Sequence, residues 1–366
     1  MSKKVSIKLK GNDIVPSRGL VIGPSYESGM NVSKWHTTQT PMSINFSVSA
    51  VVVGGGGSGG SYYGLGGGAG GGIFQFSFTI NAGTAYPVVV GAGGVYDSVN
   101  NIPTSGGSSS FAGVVTRGGG YGASGGDYNS PLYFPEIGGG GGGAPSVNSN
   151  SDISNGATGD AFGKAGGNGL WDDNDPAEFD ALGGGGGGYL TAGANANPWI
   201  TYGTLPPQNG GNGVLVSYFF PDLVGNSQDW GIGFGGGGGC AWGASYYSYT
   251  SGGFLGGNAY NSTLGAIGYY GGRGGGQYLG GSVAAKNGIG YFTQPSGGAG
   301  NGGGGGAFNG SNPGNGSDGA VILKIPQSLP WDQTTTEDNN PYVNVSDPIN
   351  GFIYLNFPQS GTFYML

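Results

Sequence analysis

The sequence predicts a mostly irregular, all-β molecule: a polyglycine-II helix bundle capped by short β-strands, with almost no α-helix. Three observations predict it. Of 366 residues, 91 are glycine and 20 proline, about 30% of the chain in the two residues that punctuate regular structure. The glycines come in contiguous runs (54–57, 138–143, 183–188, 235–239 and 302–306), which excludes the every-third-residue pattern of collagen. Several glycine blocks follow directly on a β-branched run such as Val51-Val52-Val53. A disordered chain would be poor in aromatics and rich in charge, whereas this one is 12% aromatic and only 8% charged.

Ordering a glycine costs roughly 0.5–1 kcal/mol more than ordering alanine, and glycine brings no side chain to bury in return. Backbone hydrogen bonds must therefore hold the runs. An α-helix is disfavoured by about 1 kcal/mol per glycine, and a flat sheet gains nothing from residues that cannot pack its faces. The extended helix with three residues per turn points every donor and acceptor outward. Without Cβ atoms, neighbouring helices of this kind can approach until those groups pair laterally in several directions. The other reading of the runs is as flexible linkers.

Taken in order, residues 1–45 read as an N-terminal strand and attachment segment, with Val5, Ile7 and Leu9 alternating against Lys8 and Lys10. Phe46, Val48 and Ala50 alternate, run into Val51 to Val53, and stop at the first glycine block. Phe74, Phe76, Phe78 and Ile80 alternate, Asn81-Ala82-Gly83 reads as a hairpin turn, and Val88 to Val90 enters the next glycines. Residues 213–218 and 319–324 are expected strands, each closing a glycine-rich module. That gives a first module over 46–223, a second over 224–325, and a C-terminal docking segment over 326–366. The apolar end of that segment (Phe352 to Phe357, Phe363 to Leu366) is expected either to pack back on the body or to sit against another chain.

Six of the eleven basic residues lie in the first 34 positions against two acids, so this start carries +4 and the remainder −12, for a net charge of −8. The balance argues against a nucleic-acid partner; the basic start reads as a solvated strand or as a dock for an acidic neighbour. Cys240 is the single cysteine, which excludes an internal disulfide. Residues 1–30 lack the apolar core of a secretory signal, and nowhere do about 18 apolar residues run together. The chain is thus expected to be made in a cytoplasm without inserting in a membrane, yet its body has the composition of an extracellular surface. Virus particles reconcile the two, since their exterior proteins are made in the cytosol and leave by lysis.

A valine-rich strand into GGGGSGG, then GGGAGGG, an Asn-Ala-Gly-Thr turn, VVVGAGG, repeated six-glycine blocks and the closing stretches NGGNGVLVSY and GSDGAVILKI follow one another over about residues 46–325. This pattern resembles the glycine-rich domain of bacteriophage tail-fibre and receptor-binding proteins, and is similar in style to the distal tail-fibre adhesins of T-even-type phages. The resemblance implies polyglycine-II helices carrying variable loops that touch the host's outer surface. The chain departs from those adhesins in its non-glycine tail, 326–366.

Chemistry has little to work with. His36 is the single histidine and lies in the attachment segment, far in sequence from Cys240, so no nucleophilic pair and no zinc set is expected. The P-loop spacing around Lys164 fails at Thr158 and Ala165, and no amphipathic helix follows. No cofactor is expected. The acids Asp172, Asp173, Asp175, Glu178 and Asp180 read as a solvated loop, as a calcium site lacking the EF-hand spacing, or as a glycosidase pair. Tyr62, Tyr63, Tyr246, Tyr247, Tyr249, Tyr269 and Tyr270 lie beside glycine blocks, and Trp171, Trp199 and Trp242 lie between blocks. These aromatics are the candidate receptor contacts, because fixing two χ angles costs little entropy; the alternative is that they clamp the bundle's edges.

The expected function is that of a non-enzymatic virion protein on the particle surface, a scaffold presenting aromatic and polar loops to a host cell-surface protein or glycan. Residues 1–45 and 326–366 would dock other virion proteins or further copies of the chain. A purely structural head, collar or fibre component and a capsule-degrading hydrolase are the alternatives.

Overall fold

The computed structural model describes residues 8–9, 12–13, 45–61, 66–124, 135–143, 153–172, 180–196, 210–223, 233–234, 242–244, 258–261, 265–269, 304, 314–332, 344–345 and 348–365. The chain divides into two units, Met1–Ser43 and Ile44–Leu366. In the first, β1 (Lys8–Leu9) pairs antiparallel with β2 (Asn12–Asp13), so a strand falls within the alternating stretch.

The second unit is nearly all β. One five-stranded antiparallel sheet has the order β18 (Asn344–Val345), β19 (Phe352–Phe357), β16 (Ala320–Pro326), β3 (Asn45–Val53), β4 (Ile73–Asn81). The other runs β17 (Trp331–Asp332), β20 (Gly361–Met365), β5 (Ala85–Val89), β6 (Ser109–Phe111), β7 (Val114–Thr116). Two four-stranded sheets are also formed among the described residues. The first is β13 (Trp242–Ala244), β10 (Asp180–Leu182), β9 (Gly169–Asp172), β8 (Ile153–Ser154); the second is β12 (Gly233–Phe234), β11 (Gly213–Leu215), β14 (Asn258–Asn261), β15 (Gly265–Tyr269).

Alternation decides how the five-stranded sheets pack. Val48, Ala50 and Val52 of β3 and Val321 and Leu323 of β16 meet Val88, Phe111, Phe363 and Met365 of the opposite sheet in one core. The intervening Val51, Val53, Ala320 and Ile322 point the other way, into a second core with Val216, Phe219, Phe220 and Leu223. Covered on both faces, β3 can be a continuous valine run where a half-exposed strand would alternate. The C-terminal segment packs back on the body: β19 pairs with β16, and β20 with β5. Strands from 46–223, 224–325 and 326–366 thus share one sheet.

Two local expectations need correction. The stretch 213–218 is a strand only to Leu215; Val216–Phe219 is a short helix, α1, followed by a 3-10 turn at Pro221–Leu223. Helical spacing brings Val216, Phe219 and Phe220 together onto the sheet, where an extended chain would split them between two faces, so packing overrides β propensity. The Asn81-Ala82-Gly83 turn is likewise no hairpin. It carries the chain from the edge of one sheet into the other, with Gly83 at φ +73° and its N–H donating to the Met365 carbonyl (2.8 Å).

At Gly54 the side chains stop but the hydrogen bonding does not. The N–H groups of Gly54, Gly57 and Gly60 donate to the carbonyls of Gly72, Ala69 and Gly66; those of Gly55 and Ser58 to Gly107 and Thr104; those of Gly56 and Gly59 to Ser317 and Gly314, all at 2.8–3.1 Å. Successive residues therefore bond to three different segments, and the pattern returns every third residue, the period of an extended three-fold helix. The same segment accepts from two more, through Gly119 and Gly122 and through Gly94. Residues 118–123 repeat the device: Gly119 and Gly122 donate toward 55–58, Gly120 and Ala123 toward 140–143. Six sandwich strands (β3, β4, β5, β6, β7 and β16) continue directly into segments of this lattice.

Glycine is required by the spacing. A Cβ on Gly54, Gly57 or Gly60 would lie 2.1, 2.2 or 1.7 Å from the carbonyl oxygens of Arg117, Gly120 and Ala123. Where a side chain does enter the lattice it replaces a backbone partner: the buried Ser58 hydroxyl donates to the Thr104 carbonyl (3.1 Å) and accepts from its N–H (3.0 Å).

Candidate functional site

Ser61 follows the lattice segment 54–60, which leads on from β3. Several segments meet there. The Ser61 hydroxyl bonds to the Tyr96 phenol and to the Ser124 hydroxyl (3.2 Å), and the Tyr96 N–H donates to Asn315 Oδ1 (2.9 Å). The Gly60 N–H donates to the Gly66 carbonyl (2.8 Å).

The turn that follows Tyr96 is built from its own polar groups. Asp97 and Ile102 exchange both backbone bonds (2.9 and 3.2 Å). Asp97 Oδ1 accepts from the N–H of Val99 and of Asn100, and Oδ2 from the Asn100 side chain (2.7 Å); these bonds, that from the Asn100 side chain foremost, hold the Asp97 carboxyl below its ordinary range. Tyr96 donates to the Asn101 side chain (3.1 Å), where Asn101 takes the left-handed conformation at φ 58° that asparagine tolerates. The Thr104 hydroxyl donates to the Val95 carbonyl and accepts its N–H, both at 2.8 Å. Val99, at the tip, is 85% exposed.

A separate charged cluster secures the second core. Asp222, on the 3-10 turn, accepts from Lys324 of β16 and from the Tyr354 hydroxyl of β19 (2.6 Å), and the Lys324 ammonium lies 4.5 Å from the Phe352 ring centre. Burial works against the Asp222 carboxylate, but the bonds from Lys324 and Tyr354 outweigh it and lower its pKa. Burial first, then the bond to Asp222, pushes the Tyr354 phenol far up. Asp160 is raised by burial, partly offset by the Phe162 N–H and the charge of Arg117.

Of the aromatics expected at the receptor surface, Tyr62, Tyr63, Trp199, Tyr246, Tyr247, Tyr249 and Tyr270 lie outside the described residues, as do His36 and Cys240. Trp171 lies on β9 opposite Ala181, Trp242 on β13 opposite Leu182, and Tyr269 on β15 opposite Asn258. Asp173, Asp175 and Glu178 lie outside the described residues; Asp172 and Asp180 are register partners across β9 and β10. Among the described residues no group of three or more His, Cys, Asp or Glu is placed to hold a metal ion, and no helix is long and apolar enough to cross a membrane. Lys164 belongs to the lattice, its N–H donating to the Gly188 carbonyl and its own carbonyl accepting from Gly141 (both 2.9 Å). Sequence reading passed over residues 95–104. Their signal was an Asp-Ser-Val-Asn-Asn turn between Gly94 and Pro103, overshadowed by the Tyr and Trp clusters.

The architecture defines a class of protein: a β-sandwich whose strands run on into a lattice of glycine segments cross-linked through the backbone. The chain belongs to the glycine-rich domain family, whose model matches residues 32–219, just over half of its length. No curated protein and no solved structure matches it.

Proposed function

We propose that the chain is a bacteriophage virion protein of the tail-fibre or adhesin type, a non-enzymatic scaffold on the particle surface that holds turns against a host-cell receptor. The observation that carries this reading is the three-residue recurrence of lateral hydrogen bonds from Gly54 to Gly60, which we read as polyglycine-II packing. Such packing fixes the ends of its segments without a conventional core, and turns fixed in advance lose little entropy on binding. With 8% charged residues, recognition rests mainly on apolar and neutral polar contacts, and several copies per particle would multiply a modest single-site affinity. Residues 1–45 would supply the contacts to neighbouring virion proteins, since the strands of 326–366 are taken up in this chain's own sandwich.

The test is competition: purified chain is expected to block adsorption of the particles that carry it, half-maximally at a concentration matching its direct binding to cells. Association with particles, without cell binding and without blocking, would replace this reading with a structural role. Release of reducing sugars from capsule, lost in the double variant Asp172→Asn/Asp175→Asn, would replace it with hydrolysis.

A further inference from the structure

Large apolar side chains left open to solvent are Phe74, Val89, Val95, Val99, Val115 and Ile137 among the described residues. They are not scattered evenly. Val89 and Val115 sit on the outer face of the second sheet, in register across Ser110, and Phe74 lies against Phe162 in a tilted ring pair (5.0 Å between centroids). Val95 (55% exposed), Val99 (85%) and Ile137 (55%) instead border one hydrogen-bonded rim at the lattice surface. Val95 is tied to Thr104; the next residue, Ser105, donates to Glu136 Oε2 (2.5 Å) and accepts the Tyr121 N–H (3.2 Å); the Glu136 N–H donates to the Tyr121 carbonyl (3.3 Å), and Ile137 follows.

We infer that this rim is a preformed contact for a protein, with Val99 as its projecting anchor and an apolar cleft on a host-surface protein as its partner. The inference rests on the adhesin reading and names the surface and the partner chemistry for it. Three features carry it. The turn is rigid before any partner arrives, because Asp97, Asn100, Asn101 and Thr104 are all engaged within it and Tyr96 is buried beneath it. The neutral polar groups already bonded inside the rim can be covered by an apolar surface without losing a water partner they depend on. Valine and isoleucine offer a sugar neither a hydrogen bond nor an aromatic face to stack on, so the side chains presented suit a protein cleft and not a glycan. The rim segments 91–107 and 135–143 carry two acids, Asp97 and Glu136, and neither Lys nor Arg, so a cleft edged by Lys or Arg would fit best.

The experiment uses the full chain in the adsorption-blocking assay, with the double variant Val95→Asp/Val99→Asp and the control Val89→Asp. The double variant is expected to need at least about tenfold more protein for the same blocking, at an unchanged melting temperature, while the control blocks like the parent. Protease-shaved cells are expected to lose binding and periodate-treated cells to keep it. If the parent blocks and the double variant blocks equally well, the rim is not the contact and the adhesin reading stands without it. Binding abolished by periodate and spared by protease would overturn the protein partner. If the parent itself fails to block, the inference falls together with the reading on which it rests.

Discussion

On either side of Val53 the same strand is held by opposite means. Up to Val53, β3 lies between two apolar layers and its neighbours are fixed by valine, leucine and phenylalanine side chains. From Gly54 to Gly60 the one side chain is that of Ser58, which itself bonds to the Thr104 backbone, and the chain is fixed by bonds to 66–72, 104–107 and 314–317 in turn. A sheet uses its hydrogen bonds in one plane and leaves its faces to the side chains, whereas the lattice uses its hydrogen bonds all round. The difference teaches that glycine here is a packing residue: its missing Cβ lets a third and further neighbour reach bonding distance.

The largest expected effect tests that claim directly. Gly57→Ala puts a methyl 2.2 Å from the Gly120 carbonyl and should cost more than about 5 kcal/mol in urea unfolding, or prevent folding altogether. Leu323→Ala, in the sandwich core, should cost about 3 kcal/mol. A Gly57→Ala penalty below that of Leu323→Ala would reverse the comparison and make the lattice the softer region. Hydrogen exchange sharpens it: the amides of Gly55 to Gly57 should be protected as strongly as those of β16, and fast exchange there would mean the lattice opens independently.

Intermediate effects belong to the clamp on the second core. Asp222→Asn should cost about 2 kcal/mol, the scale of a hydrogen bond to a charged group. Because the folded carboxyl of Asp222 lies below its unfolded value of about 3.9, its contribution is complete above that value and is lost as the pH falls through the folded one. Tyr354 runs the other way: its stabilisation holds up to the unfolded phenol value of about 10 and is lost as the pH climbs toward the raised folded one. Thermal melts across pH should therefore show both limbs in the parent chain and a flattened acid limb in Asp222→Asn. The smallest effect is a gain. Ala112 sits at φ 48° in the β6–β7 turn ahead of Gly113 at φ 81°, and Ala112→Asn should stabilise by about 0.5–1 kcal/mol, while Gly361→Ala, with open space around it, should change little.

Much of this was legible in the sequence for one physical reason: a block of glycines bordered by valines admits few folded solutions. The buried run at Val51 to Val53, the stop at Gly54, the strand expected at 319–324 and found at Ala320–Pro326, and the all-β class followed from it. Pairing did not. Nothing local tells Phe78 and Val88 that they belong to different sheets, or Val216 that a helix will bring it beside Phe220; those outcomes depend on surfaces contributed by β19 and β20, far along the chain. The rim at 95–104 was missed because a valine is conspicuous only once its exposure is known, whereas tyrosine and tryptophan draw notice by type. Most of those aromatics lie outside the described residues, and their role rests on composition.

The partners of Gly56 and Gly59 are Ser317 and Gly314, and the central strand beside β3 is β16. Neither exists while the first glycine block is leaving the ribosome. A nascent chain would emerge with its glycine segments short of neighbours until residue 326 is synthesised, so folding of the lattice should be slow and should wait on β16. Shortened products lacking β16 are expected in the insoluble fraction, however much of the lattice sequence they retain.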